Sequence, residues 1–226
     1  MSEKTITPIA VIKTDFKDKF GIPRQSGRCK TAVGIIEFLP QFNSADFIRG
    51  IEDFSHLWLI FGFNKNEREE ISATVRPPRL GGNKRVGVFA SRAPYRPNGL
   101  GLSSVKLEKV IQDEKGIKLE VSGVDILDGS PIYDIKPYIP SADKIDDAVG
   151  GFSDDFTDYA LTIVFPEGHK KLFSDREYQT LLSCLKDDPR PSYQKDGKVY
   201  GMKFLDYEIK FSVKEKTLTV LSVSHS

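Results

Sequence analysis

The first 140 residues of the chain predict strand after strand, with no long amphipathic helix between them. Apolar and polar residues alternate with the period of a β-strand in several short runs, and glycine or proline interrupts the chain between the runs. A doubly wound sheet needs helices to connect its parallel strands, so this pattern argues against that fold. A closed or nearly closed antiparallel β-barrel of about 130–140 residues fits the pattern better.

The strand pattern is carried by the runs Thr5–Thr14, Thr31–Leu39, Phe54–Phe63, Leu102–Gln112 and Gly116–Val124. The last two are predicted to form a β-hairpin across residues 113–115. The third run is almost continuously apolar, which favours a strand buried on both faces and a buried, hydrogen-bonded His56. Before this run a helical turn is predicted, capped by Asn43 or Ser44.

The most unusual stretch runs from Thr74 to Ser104 and is rich in proline, glycine and arginine. No Asp or Glu lies from Ile71 to Lys106, whereas the net charge of the whole chain is only +1. We call residues 71–106 the basic stretch, and its cationic side chains are Arg76, Arg79, Lys84, Arg85, Arg92, Arg96 and Lys106. Proline fixes the backbone, glycine permits its close approach, and arginine binds phosphate with paired hydrogen bonds. The stretch, with one short strand at Val86–Ala90, therefore predicts a site for an anionic partner, although a solvated basic face is the alternative.

Two loops between the strands are predicted to bind ligands. The polar segment Asp15–Lys30 presents Arg24 and Gln25 on a frame of glycine and proline, which is typical of a binding loop as well as of a plain connector. The turn at Gly81-Gly82-Asn83 offers consecutive backbone N–H groups, which can form an anion-binding nest.

Within a further segment, Asp125–Pro140, the part from Asp128 to Asp134 combines a turn with an aromatic ring and two carboxylates. Asp128 and Gly129 form the turn dipeptide, and Tyr133 and Asp134 follow it. A carboxylate can accept a hydrogen bond from the exocyclic amine of a purine, and an aromatic ring can stack on the base. The alternative is a proline-rich edge strand without a binding role.

The C-terminal part is predicted to be a small α+β domain at residues 158–226, joined by an acidic linker at residues 141–157. Its helix, Lys171–Lys186, carries a capping box formed by Ser174 and Glu177. The strands predicted here are Tyr159–Phe165, Tyr200–Val213 and Lys216–Val223.

Composition and motifs narrow the classes of function. Cys29 and Cys184 are far apart and without metal-ligand spacing, so two reduced thiols are expected. The three histidines form no metal-binding pair, and no metal is predicted. Neither a signal peptide nor a membrane-spanning run is apparent, so a cytoplasmic protein without membrane contact is expected. The motifs GxSxG, HExxH, GxxxxGK[ST] and GxGxxG are absent.

Taken together, four blocks of the sequence resemble the TsaA-like, or TrmO, family. They are FGIPRQSG, FSHLWLIFGF, VRPPRLGGNKRVGVFASRAPYRPNGLGLSSV and DGSPIYDIKPY, in order between residues 20 and 140. DPRPSY (Asp188–Tyr193) and YGMKF (Tyr200–Phe204) resemble the smaller second domain of bacterial members. The resemblance implies a β-barrel methyltransferase that uses S-adenosylmethionine and acts as a homodimer, with the cofactor near the subunit interface. The implied reaction is methylation of N6 of the threonylcarbamoyl-modified adenosine 3′ of the tRNA anticodon.

The resemblance also assigns roles by position. The residues implied to hold the cofactor are Gln25, Ser26, Gly27, Asn64, Lys65, Arg92, Leu102, Asp128, Gly129, Ser130 and Pro131. Among them, Arg92 is a hypothesis for pairing with the methionyl carboxylate, and Leu102 for packing against the adenine. The chain departs from the family pattern with Asn64 in place of histidine and Ser26 in place of proline.

Catalysis in such a protein would consist mainly of holding N6 in line with the methyl group. The candidates for orienting the amine or accepting its proton are Asp128, Tyr133 and Asp134. The side chains implied to bind anticodon-loop phosphates are Arg76, Arg79, Lys84, Arg85 and Arg96.

Two other functions stay open at this point. One is a tRNA- or nucleotide-binding β-barrel without methyl transfer, which would bind no methyl donor. The other is a methyltransferase for a small molecule, for which removal of the arginines in the basic stretch would have little effect. Residues 158–226 contain several lysines and arginines, which favours a role in tRNA docking.

Overall fold

The computed structural model describes residues 3–64, 72–80, 84–190 and 196–226, apart from the side chain of Arg79. Contacts within the chain group it into two compact units. Unit 1 comprises Met1–Asp15, Gln25–Ile71 and Pro94–Tyr138, and unit 2 comprises Phe16–Arg24, Ser72–Ala93 and Ile139–Ser226. Each unit therefore combines segments that are far apart in the sequence.

The strands of the described residues are, in chain order, β1 (Ala10–Thr14), β2 (Val33–Phe38), β3 (His56–Gly62), β4 (Thr74–Val75), β5 (Val86–Gly87), β6 (Leu100–Asp113), β7 (Gly116–Ser122), β8 (Ser130–Pro137), β9 (Thr162–Val164), β10 (Val199–Phe204), β11 (Tyr207–Lys214) and β12 (Thr217–His225). The α-helices there are α1 (Pro140–Asp143), α2 (Glu167–Lys170) and α3 (Asp175–Lys186). In unit 1, six strands close into a barrel in the order β1-β2-β7-β6-β3-β8. Every neighbouring pair is antiparallel, so the predicted antiparallel barrel is confirmed.

The strand β3 is buried on one face rather than on both. Leu57, Leu59 and Phe61 point into the core, while Trp58 between them is partly exposed. The aromatic run hides this alternation, because its outward positions are apolar as well. The prediction of a buried His56 is wrong, since this residue starts the strand and is exposed, with Nδ1 2.9 Å from the hydroxyl of Ser55.

The predicted hairpin and capped turn are both present in unit 1. β6 and β7 pair and are joined across residues 114–115. The 3-10 turn Ala45–Ile48 is capped by Ser44, whose hydroxyl accepts the amide N–H of the second turn residue at 3.4 Å. Asn43 has a different role, because its Oδ1 accepts the amide of Ile117 at 2.8 Å and so connects this turn to β7.

Unit 2 contains a four-stranded sheet in the order β10-β11-β12-β9 and the short ribbon β4-β5. The prediction of one strand over Tyr200–Val213 is wrong, because the chain reverses between β10 and β11. Leu205 in this turn has φ +52°, a conformation that a non-glycine residue rarely adopts and that leucine does not signal in a sequence. The predicted strand Val86–Ala90 is shorter than expected, since β5 passes into a 3-10 turn at Val88–Ala90.

The helix α3 begins with the predicted capping box. The hydroxyl of Ser174 accepts the amide of Glu177 at 3.3 Å, and the carboxylate of Glu177 accepts the amide of Ser174 at 2.8 Å. Leu181 and Leu185 are fully buried, so one face of the helix belongs to the core of unit 2. The hydrogen bond from the Ser174 backbone holds the pKa of Glu177 below its ordinary value.

Replacing Glu177 with glutamine is expected to destabilise α3 by about 0.5–1 kcal/mol at neutral pH, because the charged acceptor of the cap is lost. A lowered pKa stabilises the folded state above the unfolded pKa of about 4.3 and loses this contribution as the pH falls through the folded value. Thermal unfolding at pH 7 and pH 3 checks the effect. A Tm difference between variant and wild type that persists at pH 3 would contradict it.

Candidate functional site

At one end of the barrel, the chain leaves β1, β3 and β7 and enters β2, β6 and β8. This follows from the antiparallel order, in which the end of one strand lies beside the start of its neighbour. Gln25–Gly27 lie between β1 and β2, Asn64 follows β3, and Leu102 lies near the start of β6. Asp128–Pro131 lead from β7 into β8. The barrel thus brings these four predicted segments to one edge, which we call the loop end.

The loop that carries Gln25 and Ser26 is fixed to the connection after β7. The amide of Gly27 donates to the carbonyl of Gly123 at 2.8 Å, and the amide of Gly123 donates to Ala32 at 2.8 Å. Gly27 has φ +77°, and a Cβ built on it meets no atom within 4 Å. Its backbone therefore faces open space that a ligand can approach closely.

The turn around Asp128 is bound to the ends of β1 and β3. Its Oδ1 accepts the amide of Thr14 at 2.9 Å, and its carbonyl is 3.5 Å from the side-chain nitrogen of Asn64. The amide of Gly129 donates to the carbonyl of Ile12 at 2.9 Å. Ser130, by contrast, is only 1 % exposed and donates to a backbone carbonyl of its own turn at 2.7 Å. Its side chain shapes the turn and is not offered to a ligand.

Tyr133 lies at a bulge in β8. The register of β8 with β3 shifts between Ile60 and Phe61, so β8 carries an extra residue there. The ring of Tyr133 covers Gly62 on the outer face of the barrel: a Cβ built on Gly62 would lie 2.9 Å from this ring and 3.0 Å from the ring of Pro131. The absence of a side chain at Gly62 is therefore what allows the tyrosine ring its place.

The other candidate carboxylate, Asp134, is differently placed. It lies further along β8, is half exposed, and has Oδ2 at 3.7 Å from the ammonium of Lys136. Its Oδ1 accepts the amide of Ile135 at 3.0 Å. Asp128 lies among the predicted cofactor residues, whereas Asp134 bonds to residues of its own strand. Of the two carboxylates, the geometry therefore favours Asp128 for a catalytic role.

One pair at the loop end was not identified from the sequence. Ser103 is 2 % exposed and donates its hydroxyl to Oδ1 of Asp125 at 2.6 Å. The preceding residue, Leu102, points the other way and is 56 % exposed. Ser103 therefore connects the start of β6 to the connection after β7 from inside, while Leu102 presents an apolar surface outside. The sequence feature that could have predicted this pair is a serine at a strand position that faces the core.

The part of the basic stretch that belongs to unit 2 carries the ribbon β4-β5. Arg76, Lys84 and Arg85 are exposed, and none of them has an ion pair with another described residue. Arg85 donates through Nε to the hydroxyl of Thr74 at 2.7 Å, so its guanidinium is held in place. Arg92, also in unit 2, is exposed.

Several other residues predicted to belong to a site lie in unit 1 or outside the described residues. Arg96 belongs to unit 1 and is partly exposed. Lys65, the turn Gly81–Asn83 and the side chain of Arg79 lie outside the described residues, as do Pro191, Ser192 and Tyr193 of the DPRPSY segment. Both cysteines lie in the described part of the chain, where they are buried and form no disulfide.

The described part of the chain lacks two kinds of feature. Within residues 3–64, 72–80, 84–190 and 196–226, no helix is long and apolar enough to span a membrane. The same ranges contain no group of three or more His, Cys, Asp or Glu side chains suited to holding a metal ion.

The chain that forms this barrel and these loops matches the domains of one protein family. The tRNA-methyltransferase O N-terminal domain matches residues 11–144, and the TrmO C-terminal domain matches residues 167–226. The chain therefore belongs to the TrmO family, as its sequence blocks indicated.

Relatives match along nearly the whole chain. It is 36 % identical over 232 residues to a tRNA (adenine(37)-N6)-methyltransferase of Escherichia coli, covering 99 % of each protein. It is 40 % identical over 215 residues to a putative S-adenosylmethionine-dependent methyltransferase RcsF of Pseudomonas aeruginosa, covering 91 % of this chain and 90 % of the relative. A crystal structure of TrmO from Pseudomonas aeruginosa superposes with a TM-score of 0.79 at 33 % identity, covering 100 % of this chain and 99 % of that one.

Proposed function

We propose that this protein is an S-adenosylmethionine-dependent tRNA methyltransferase that methylates N6 of the adenosine 3′ of the anticodon. The observation that carries the proposal is the convergence of the Gln25, Asn64, Leu102 and Asp128 segments at the loop end of the barrel. The full-length relative from Escherichia coli, a tRNA (adenine(37)-N6)-methyltransferase, supports the same activity.

The residues at the loop end fit a methyl donor that combines an amino acid, a ribose and an adenine. Leu102 offers an exposed apolar surface suited to the adenine, and the amides of Gln25 and Asn64 suit polar groups of the ribose and the amino acid. The open backbone at Gly27 and the turn Asp128-Gly129 allow close approach. We assign Lys65 and Ser26 to the same site, and Arg92 to the carboxylate of the donor. When bound, the sulfonium cofactor supplies the methyl group.

The protein's own contribution to the reaction is placement of the target amine and control of its proton. Asp128 is held in place by the amide of Thr14, and its carboxylate is our candidate to receive a hydrogen bond from N6. Tyr133 offers a ring and a hydroxyl on the face that Gly62 leaves open. Asp134 is the remaining candidate for accepting the proton, once it leaves Lys136.

Binding of the tRNA is assigned to the basic stretch. Arg76, Arg79, Lys84, Arg85 and Arg96 would contact the phosphates of the anticodon loop, since guanidinium groups pair with phosphate oxygens. A threonylcarbamoyl group on the target adenosine carries a carboxylate of its own, and an arginine-rich stretch without acidic residues suits it.

The remaining assignments extend the same proposal. Residues 1–140 act as the cofactor-binding, catalytic domain, 141–157 as a linker and 158–226 as a small domain that helps to dock the tRNA. A homodimer is the expected assembly. The substrate places the activity where tRNA is found, which we expect to be the cytoplasm.

Incubation with labelled S-adenosylmethionine and unfractionated tRNA, followed by nucleoside analysis, tests the proposal. The expected product is an N6-methylated adenosine derivative, and tRNA lacking the threonylcarbamoyl group should be a poorer substrate. Methyl transfer to a different nucleoside would contradict the assignment. Binding of tRNA without any methyl transfer would favour the non-catalytic RNA-binding barrel instead.

A further inference from the structure

Phe89 is a large apolar side chain in the middle of the basic stretch. It belongs to the 3-10 turn Val88–Ala90 and is 79 % exposed, whereas its neighbour Val88 is 3 % exposed. Exposure of a phenylalanine to water is unfavourable, and single exposed apolar residues are nevertheless common. Exposure alone therefore indicates no function, and what needs an explanation is an exposed ring on a fixed turn among positive charges.

The turn that carries Phe89 is held firmly in unit 2. The amide of Val88 donates to the carbonyl of Ala73 at 3.0 Å, beside β4. The hydroxyl of Ser91 donates to the carbonyl of Val88 at 3.0 Å and accepts the amide of Ala93 at 3.3 Å. Because these hydrogen bonds and the burial of Val88 hold the backbone of the turn, Phe89 projects from a fixed point and can act as a pre-organised contact.

The charges near Phe89 in the chain are all positive. Lys84 and Arg85 precede it just before β5, and Arg85 is fixed on Thr74 at 2.7 Å. An apolar protein partner would gain little from these cations, and an acidic peptide would have little use for the ring. Single-stranded RNA presents both phosphates for the cations and base faces for the ring.

We propose that Phe89 is a stacking platform for an unpaired base of the RNA that the basic stretch binds. The inference rests on the proposed function and adds a residue that contacts a base to the residues that contact phosphates. Stacking on an aromatic ring is independent of counterion release, whereas phosphate contacts release counterions. The two kinds of contact therefore differ in their dependence on salt.

The test is titration of a fluorescent RNA hairpin with an anticodon loop against the full chain at several salt concentrations. Phe89→Ala is expected to weaken binding roughly tenfold to a hundredfold at every salt concentration, with the slope of log K against log salt unchanged. Phe89→Trp should retain the affinity. Arg85→Ala should reduce the slope by about 0.7–0.9. Phe47→Ala, which removes a phenylalanine that is 64 % exposed in unit 1, is the matched control and should change nothing.

The outcomes separate this inference from the function on which it rests. Unchanged affinity in Phe89→Ala, together with a reduced slope in Arg85→Ala, would overturn the stacking role and leave RNA binding intact. No RNA binding by the wild type would overturn both. A change of oligomeric state in Phe89→Ala, measured by sedimentation, would make the ring part of an interface between copies and overturn the inference.

Discussion

Gly62→Ala is expected to lower the rate of methyl transfer about tenfold to a hundredfold while leaving the barrel folded. The added methyl group would lie 2.9 Å from the ring of Tyr133 and 3.0 Å from Pro131, so the tyrosine must move by a few tenths of an ångström or more. Small displacements of a group that positions a reacting atom have effects of this size on rate. Stability should change little, because alanine suits a strand better than glycine, which offsets part of the crowding.

A double-substitution cycle shows whether the effect acts through the tyrosine. In a Tyr133→Ala background the closest contact of the added methyl group is gone and only the one with Pro131 at 3.0 Å remains, so Gly62→Ala should cause little further loss of rate. Gly168→Ala is the control, since a Cβ built on Gly168 meets no atom within 4 Å. Equal losses from Gly62→Ala in both backgrounds, or full activity in Tyr133→Ala, would contradict the role of this ring.

Asp188→Asn is expected to destabilise unit 2 by about 3–5 kcal/mol, the usual result of removing one partner of a buried ion pair. Asp188 and Arg190 are 5 % and 7 % exposed. The carboxylate accepts from Nε at 3.0 Å and from Nη2 at 3.2 Å, and it also accepts the hydroxyl of Tyr159 at 2.9 Å. Burial alone would lower the pKa of the Arg190 guanidinium, but the pairing with Asp188 outweighs it and raises the pKa.

Asparagine is the appropriate substitution at this position for two reasons. It preserves the shape of the side chain, and it tolerates the φ of +51° that Asp188 adopts. The matched control is Asp196→Asn, which removes the other partner of Arg190, a carboxylate that is 50 % exposed and 3.4 Å away. That change should shift the unfolding midpoint far less than Asp188→Asn does, because an exposed ion pair contributes little to stability. Urea unfolding measures both variants, and equal midpoints for the two would contradict the account of the buried pair.

Much of the fold could be predicted because alternation, turns and caps act locally. The hairpin β6-β7, the cap at Ser44 and the capping box of α3 are each specified by residues close in sequence, and all are present. The barrel followed from the lack of helices between strands, since six antiparallel strands without covering helices bury their inner side chains by closing.

The predictions that were wrong have a common cause. At those positions the structure is decided by residues elsewhere in the chain or by the backbone conformation, and the local sequence shows neither. His56 is exposed because it is the first residue of β3, and the apolar run gave no sign of where the strand starts. The turn at Leu205 depends on a backbone conformation that its side chain does not announce. The bulge that places Tyr133 over Gly62 became visible only once the register of β3 with β8 was known.

The same distinction applies to the candidate site. The sequence marked the segments of Gln25, Asn64, Leu102 and Asp128 separately, and the strand order brings them to one edge. It gave no sign that Ser130 is turned inward, or that Ser103 bonds to Asp125, since both depend on which face of a strand points to the core.

The most direct test of the central claim is calorimetric titration of S-adenosylmethionine into the wild type, Leu102→Asp and Leu221→Asp. Leu102 is 56 % exposed at the loop end, and Leu221 is 49 % exposed on β12, so neither change should prevent folding. We expect the wild type and Leu221→Asp to bind the cofactor alike and Leu102→Asp to bind it at least tenfold more weakly, because a carboxylate would replace the apolar contact. Arg92→Ala, titrated alongside, should also weaken binding. No binding by the wild type, or equal binding by Leu102→Asp, would contradict a methyl-donor site at the loop end of the barrel.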